Sequence, residues 1–221
     1  LRNAIEMDRI AHAFLFTGVR GVGKTSAARI LAMALNCESG DDPTPSPCGQ
    51  CASCERIQAA SAMDVQEIDG ASNNSVEDVR SLRETVAFQP SQSRKKIYII
   101  DEVHMLSTSA FNALLKTLEE PPPHVKFIFA TTEPHRIPVT ILSRCQRYDF
   151  RRIPPARIQE HLTTILEAEE VKMQPEAVAL LAREAQGSMR DSLSLLDQVL
   201  AAFGREVSLQ DVSWLIGVAD H

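Results

Sequence analysis

Gly18-Val19-Arg20-Gly21-Val22-Gly23-Lys24-Thr25 constrains this chain more than any other stretch, because it fits G-x-x-x-x-G-K-[ST] in the context that pattern needs. Ala13–Thr17 before it reads as a short apolar strand. Lys24–Leu35 after it reads as a helix, with Ala27, Ile30, Leu31, Ala34 and Leu35 on one predicted apolar face. Strand, glycine loop and helix in that order favour an α/β sheet whose loop holds an anion: the glycines let backbone N–H groups approach it, and the helix N-terminus adds a favourable dipole. Lys24 would neutralise β- and γ-phosphate charge, and the Thr25 hydroxyl would hold Mg²⁺. Gly18, Gly21, Val22, Gly23, Lys24, Thr25 and Ser26 form the candidate nucleotide-binding set. A glycine-rich turn that binds nothing is the alternative, and the embedding weighs against it.

Four further strand candidates precede residue 151: Val65–Asp69, Ile97–Asp101, Lys126–Thr131 and Gln146–Phe150. Helical patterns, among them Val76–Phe88 and Ala110–Glu120 with Ser107 or Thr108 as cap, separate most of them. The alternation predicts a three-layer αβα domain over 1–153, with a mainly parallel five-stranded sheet covered on both faces. After Ile153-Pro154-Pro155 no strand candidate follows. Helical stretches at Ala156–Glu169, Pro175–Ala185, Ser188–Phe203 and Ser208–Ile216 predict a small all-α domain over 154–221, joined by a short proline hinge.

The chain has 221 residues, 44% hydrophobic and 24% charged, enough for one large domain or two modest ones. A net charge of −6 excludes a general nucleic-acid-coating role, so any DNA contact must come from a local basic surface. No run approaches the ~18 apolar residues of a membrane span, and no signal peptide opens the chain. Leu1, Ile5 and Ile10 have the spacing of a helix interior, which predicts a fragment whose first residues were trimmed.

Ile97-Tyr98-Ile99-Ile100-Asp101-Glu102 delivers two carboxylates to the C-terminal edge of an apolar strand, where ligands of open α/β sheets bind. Asp101 would hold Mg²⁺ through its water shell, and Glu102 would orient or deprotonate an attacking water. An acidic pair that merely ends a strand is the alternative, weakened by the glycine loop upstream. Thr131 and Thr132 end the next strand beside this pair, where a polar residue can touch a γ-phosphate or the lytic water; simple strand-end chemistry is the plainer reading.

Cys37, Cys48, Cys51 and Cys54, spaced C-x10-C-x2-C-x2-C after a polar proline-rich loop (Ser39–Pro47), could form a closed tetrahedral Zn²⁺ site in a module spanning about 37–60. An iron–sulfur run and unligated cysteines stay open, although the usual fourth ligand of such a run is absent. Cys145 stands apart and reads as a buried small residue. This usage, with no exported character, argues for a reducing cytoplasm. Arg144 alone is an ordinary surface cation. Arg190 falls in a helix's first turn, where cations are mildly disfavoured, which hints at a use beyond propensity; pairing with Asp191 or another acidic neighbour is the plainer alternative.

Together these motifs resemble the tau/gamma family of bacterial DNA polymerase III clamp-loader subunits, which are AAA+ ATPases. The resemblance rests on Gly18–Ser26, Cys37 with Cys48-Gly49-Gln50-Cys51-Ala52-Ser53-Cys54, and Glu67-Ile68-Asp69-Gly70-Ala71-Ser72-Asn73. It continues through Ile100–Leu106, Leu114–Pro122, Ala130-Thr131-Thr132-Glu133, Ile141–Gln146 and Gly187-Ser188-Met189-Arg190-Asp191, covering nearly the whole chain. It implies a P-loop AAA+ fold with an inserted zinc module and a helical lid. Thr132 then falls at the sensor 1 position, Arg144 at an arginine finger acting on ATP held by a neighbouring subunit, and Arg190 at the sensor 2 position. The implied activity is ATP hydrolysis coupled to loading a ring-shaped sliding clamp onto primer-template DNA in the cytoplasm, at the replisome and nucleoid. The implied cofactors are ATP, Mg²⁺ and Zn²⁺; the implied partners are the other subunits of a pentameric hetero-oligomer, with no membrane. No polymerase active site is expected in this chain. The family's adenine-holding segment before the first helix and its collar domain lie outside the chain, so weak nucleotide binding and poor assembly are expected of this piece. A helicase-like protein and a non-hydrolysing scaffold subunit are the alternatives. The first would need a second α/β lobe and the second a broken phosphate loop.

Overall fold

Five segments between Ala13 and Asp149 become the strands of one sheet. The computed structural model describes residues 1–73 and 75–217. Strands β1 (Ala13–Thr17), β2 (Val65–Asp69), β3 (Lys96–Asp101), β4 (Val125–Thr131) and β5 (Gln146–Asp149) pair in the order β2-β3-β4-β1-β5, and every ladder is parallel. All five C-terminal ends therefore reach one edge, where the register sets Thr17 beside Thr131 and Asp149, and Asp69 beside Asp101.

Burial explains this order. The central strands β1 and β4 are buried at every position, and β3 at all but its last. Side chains alternate across a strand, so such strands need cover on both faces. Leu15, Tyr98, Ile100, Phe127 and Phe129 face one side with Val79, Leu82 and Val86 of α4 (Val76–Val86) and Phe111, Leu114 and Leu118 of α5 (Thr108–Glu119). Phe127 stacks between Tyr98 and Phe129, with ring centroids 5.5 and 5.9 Å away. The alternate residues Phe14, Phe16, Ile97, Ile99 and Ile128 are equally buried on the opposite side, and α2 (Lys24–Asn36) contacts β3 and β4. The edge strands behave differently: β2 buries only Val65 and then alternates half-buried and exposed positions, and β5 has no buried residue.

Helix α2 corrects one expectation. Its buried apolar residues are Ala28, Leu31, Ala32, Met33, Ala34 and Leu35, whereas Ile30 is 53% exposed and Ala27 half-buried. The helix is covered by α3 (Ala52–Gln58) as well as by the sheet, so its buried arc is displaced from the predicted one. At the opposite end of the sheet, the buried Asp64 carboxylate accepts the N–H groups of Ser91, Gln92 and Ser93 at 2.8, 2.8 and 2.9 Å. Burial pushes its pKa up, but the three donors outweigh burial and hold it below the usual value.

Contacts divide the chain into two units. One comprises Leu1–Thr17 and Lys24–Asp149; the other comprises Gly18–Gly23 together with the chain from Phe150 onward. In the second unit α7 (Pro155–Ala168), α8 (Pro175–Glu184), α9 (Met189–Phe203) and α10 (Leu209–Ile216) bury Ile158, Leu162, Ala177, Leu181, Val199 and Val212. Pro175 opens α8, Ser188 caps α9, and a Ser208–Asp211 capping box starts α10. The expectation that no strand follows residue 153 needs correction: β6 (Lys172–Met173) and β7 (Glu206–Val207) form a parallel ladder. Two-residue strands are too short to show alternation in sequence. Residues 218–221 of the sequence-predicted lid lie outside the described residues.

Candidate functional site

The β3 edge gathers oxygen ligands. Thr25 Oγ1 at the start of α2 donates to Asp101 Oδ2 at 2.5 Å. A hydroxyl and a carboxylate meeting at a helix N-terminus are hard oxygen donors of the kind Mg²⁺ takes. Lys24 is 6% exposed, so its stem lies inside the fold. Arg29, one turn further, forms a bidentate pair with Glu67 of β2 at 2.5 and 2.7 Å.

Glu102 leaves the strand with φ 46° and ψ 44°, a left-handed conformation costing a non-glycine residue roughly 1–3 kcal/mol. The two carboxylates take different partners, Asp101 meeting Thr25 and Glu102 meeting Thr132 and His104. Thr132 Oγ1 donates to Glu102 Oε2 at 3.1 Å, so two residues the sequence proposed separately are in contact. Gly70 makes the bend possible from the neighbouring strand. Its N–H donates to the Asp101 carbonyl at 2.8 Å, and a Cβ there would lie 2.7 Å from the Glu102 carbonyl oxygen.

His104 and Glu133 fall within the Ile100–Leu106 and Ala130–Glu133 motifs, but the sequence assigned neither a role of its own. His104, 7% exposed, places Nδ1 3.0 Å from Thr131 Oγ1 and 3.3 Å from Glu102 Oε2, with Nε2 3.3 Å from Glu133 Oε1. The Asp101-Glu102-Val103-His104 spacing suggested only the helicase-like alternative, and nothing in it points to the contacts with Thr131 and Glu133.

In the second unit, the Gly21 carbonyl accepts from Met189 N–H at 2.9 Å. Gly21 has φ 76°, and a Cβ there would collide with Ser188 Oγ and sit 3.0 Å from Arg190 Cβ. Only glycine fits at this position. Arg190 itself is exposed in the first turn of α9. Arg144, after α6 (Val139–Leu142), forms an ion pair with Glu119 Oε1 at 2.7 Å and donates to the Thr140 carbonyl at 2.7 Å. Cys145 is half-buried, and burial pushes its thiol up to about 12.

The sulfur atoms of Cys37, Cys48, Cys51 and Cys54 all lie within 4.8 Å of one another. Backbone N–H groups point at them: Cys48 to Cys37 at 3.4 Å, Cys51 to Cys48 at 3.3 Å, Glu38 and Cys54 to Cys51 at 3.4 Å each. Burial raises the Cys37 thiol's value, but donors from Cys48 and Ser39 outweigh it and bring it down to about 6. Burial drives Cys54 up to about 12. One sulfur thus favours the thiolate while another, beside it, resists ionisation. A divalent cation resolves that conflict by deprotonating coordinating thiols outright, so four converging sulfurs fit Zn²⁺.

A family profile described as "DNA polymerase III, delta subunit" matches residues 1–154, and one described as "DNA polymerase III clamp loader subunit, ATPase lid domain" matches residues 157–205. DNA polymerase III subunit tau of Bacillus subtilis is 51% identical over 221 residues, covering 100% of this chain and 39% of that protein. Subunit tau of Escherichia coli is 51% identical over 220 residues, covering 100% of this chain and 34% of that protein. The chain therefore spans little more than a third of these relatives. Among solved structures, the Thermotoga maritima RuvB Holliday junction branch migration motor shares the fold, with a TM-score of 0.66 at 15% identity over 98% of this chain and 64% of that one.

Proposed function

The chain belongs to the family of DNA polymerase III clamp-loader subunits, and from that premise we propose that it is an ATP-binding and ATP-hydrolysing part of a clamp loader. Hydrolysis would be coupled to placing a sliding clamp on primer-template DNA, with other loader subunits as partners. The observation that carries this reading is the meeting of Thr25 with Asp101 beside a Glu102 held by Thr132. In the proposal Gly18, Gly21, Val22, Gly23, Lys24, Thr25 and Ser26 bind the nucleotide phosphates. Thr25 and Asp101 would hold Mg²⁺, which supplies charge neutralisation on the phosphates. Glu102 orients or deprotonates the attacking water, Thr132 contacts the γ-phosphate or that water, and Arg190 binds the γ-phosphate within the same subunit. Arg144 serves a neighbour's nucleotide, a role worth roughly 10³–10⁵ in rate for well-placed arginine fingers. The four cysteines hold Zn²⁺ as a structural ion. The domains are proposed as 1–153, ATP-binding, and 154–221, the lid. The polymerase holoenzyme is the proposed context, and polymerisation itself is assigned to other chains.

ATP turnover by full-length, assembled complexes with clamp and primed DNA tests this proposal. Glu102→Gln should abolish turnover and keep nucleotide binding. Complexes mixing Arg144→Ala with Lys24→Ala subunits at assigned positions should lose hydrolysis at the site facing the altered arginine. Turnover retained by Glu102→Gln would refute the catalytic assignment, and silencing of the subunit that itself carries Arg144→Ala would refute the action on a neighbour.

A further inference from the structure

His104 lies between two carboxylates on different elements, and its burial leaves it little freedom. It sits on the short 3₁₀ turn Val103–Met105 that follows β3, and its two ring nitrogens face opposite ways. Nδ1 meets Thr131 Oγ1 at 3.0 Å and Glu102 Oε2 at 3.3 Å; Nε2 meets Glu133 Oε1 at 3.3 Å. Thr131, fully buried at the end of β4, accepts Glu133 N–H at 3.0 Å, while the next residue, Thr132, donates to the same Glu102 oxygen at 3.1 Å. Glu102, His104, Thr131, Thr132 and Glu133 thus form one hydrogen-bonded network joining the ends of β3 and β4.

We propose that His104 is a positioning residue: its ring ties the Glu102 carboxylate to the Thr131–Glu133 segment, so that the water-activating group is held in register with the strand end that contacts the γ-phosphate. This rests on the ATPase reading above and deepens it. The backbone alone does not fix Glu102, because a left-handed bend follows Asp101 and the carboxylate hangs on three rotatable bonds beyond it. Two contacts at Oε2, from Thr132 and from His104, fix the direction of that side chain. The Nε2 contact with Glu133 fixes the ring in turn. A shift of the β4 end on nucleotide binding would be passed to Glu102 through the ring. The side-chain partners of His104 are Thr131, Glu102 and Glu133 and include neither Thr25 nor Asp101, so its loss should affect the chemical step more than binding.

The test compares wild type, His104→Ala, His104→Asn, His104→Gln and Glu102→Gln in the full-length protein within its assembled complex. It reads ATP turnover, KM and the affinity for a non-hydrolysable ATP analogue. Asn places an amide nitrogen near the position of Nδ1, and Gln places one near Nε2. His104→Ala should lower kcat by about 10-fold or more, because a misplacement near 1 Å of a reacting group can cost roughly 10²-fold. KM and analogue affinity should stay within about 3-fold, the pattern of an interaction needed only for the chemical step. His104→Asn should recover most of the loss and His104→Gln less. A kcat within about 2-fold of wild type, or affinity falling in step with kcat, overturns the proposal. So does an Asn variant as slow as Ala, or Gln better than Asn. If His104→Ala does not fold, the order of Asn and Gln decides. A Glu102→Gln protein that still hydrolyses ATP overturns the ATPase assignment itself; one that is inactive while His104→Ala is unaffected overturns only the role of His104.

Discussion

At the sheet edge, Thr25, Asp101, Glu102 and Thr132 are positioned by β3, β4 and α2, whose apolar side chains are buried behind them. The cysteine module is different. None of residues 38–50 is buried, and the seven-residue α3 contributes Ser53, Cys54 and Ile57 to the interior. Buried apolar area lies behind the first region, whereas the second brings four sulfurs together and, in the proposed function, is held by the metal they bind. If the proposed metal is the module's support, the two regions should fail under different conditions.

Removing the metal should separate them most sharply. Structural zinc contributes roughly 10–16 kcal/mol to folding in isolated peptides at neutral pH, more than the small core of this module could replace. Chelation, or Cys51→Ser, should open the amides of residues 37–58 to hydrogen exchange and leave β1, β3 and β4 protected. Elemental analysis of protein purified without added metal should find one zinc per chain. Loss of protection in the central strands on chelation would erase the contrast.

Phe127→Ala attacks the other support. Removing a fully buried aromatic stacked on Tyr98 and Phe129 should cost about 3–5 kcal/mol. Denaturant unfolding should show this loss with metal content unchanged. A milder disturbance of the same sheet is Asp64→Asn. It weakens three charge-assisted hydrogen bonds and should cost about 1–3 kcal/mol near pH 7. The folded carboxylate titrates below its unfolded value of 3.8, so its contribution is complete above about pH 4 and fades as pH falls through the folded value. Stability measured from pH 7 down to pH 2 should therefore show the gap between wild type and Asp64→Asn closing in acid. The smallest effect is expected at Arg29. Its side chain is 40% exposed, so Arg29→Met should change stability by no more than about 1 kcal/mol despite the bidentate pair with Glu67.

The comparison also shows what could be read from the sequence. The glycine loop, the Asp101–Glu102 pair and the cysteine spacing were legible because each is a local pattern with a mechanism. Strand limits followed from apolar runs, and Gln146–Asp149 differs from its predicted extent by one residue. Strand order was not legible, since parallel pairing joins segments far apart in the chain. Ile30 was misplaced because a second partner, α3, moved the buried arc of α2. The β6–β7 ladder is shorter than any period that could reveal it. His104, Glu133 and Gly70 matter through contacts between strand ends, and no spacing within a single segment encodes those contacts.

In the proposed function, Lys24 and Thr25 at the start of α2 and Asp101 and Glu102 at the end of β3 serve one bound nucleotide. The direct measurement is titration of a labelled ATP analogue into full-length protein, wild type and Lys24→Ala, with zinc content determined on the same samples. Lys24→Ala protein should lose most of its affinity while zinc stays at one per chain. Unchanged affinity in Lys24→Ala protein would contradict it.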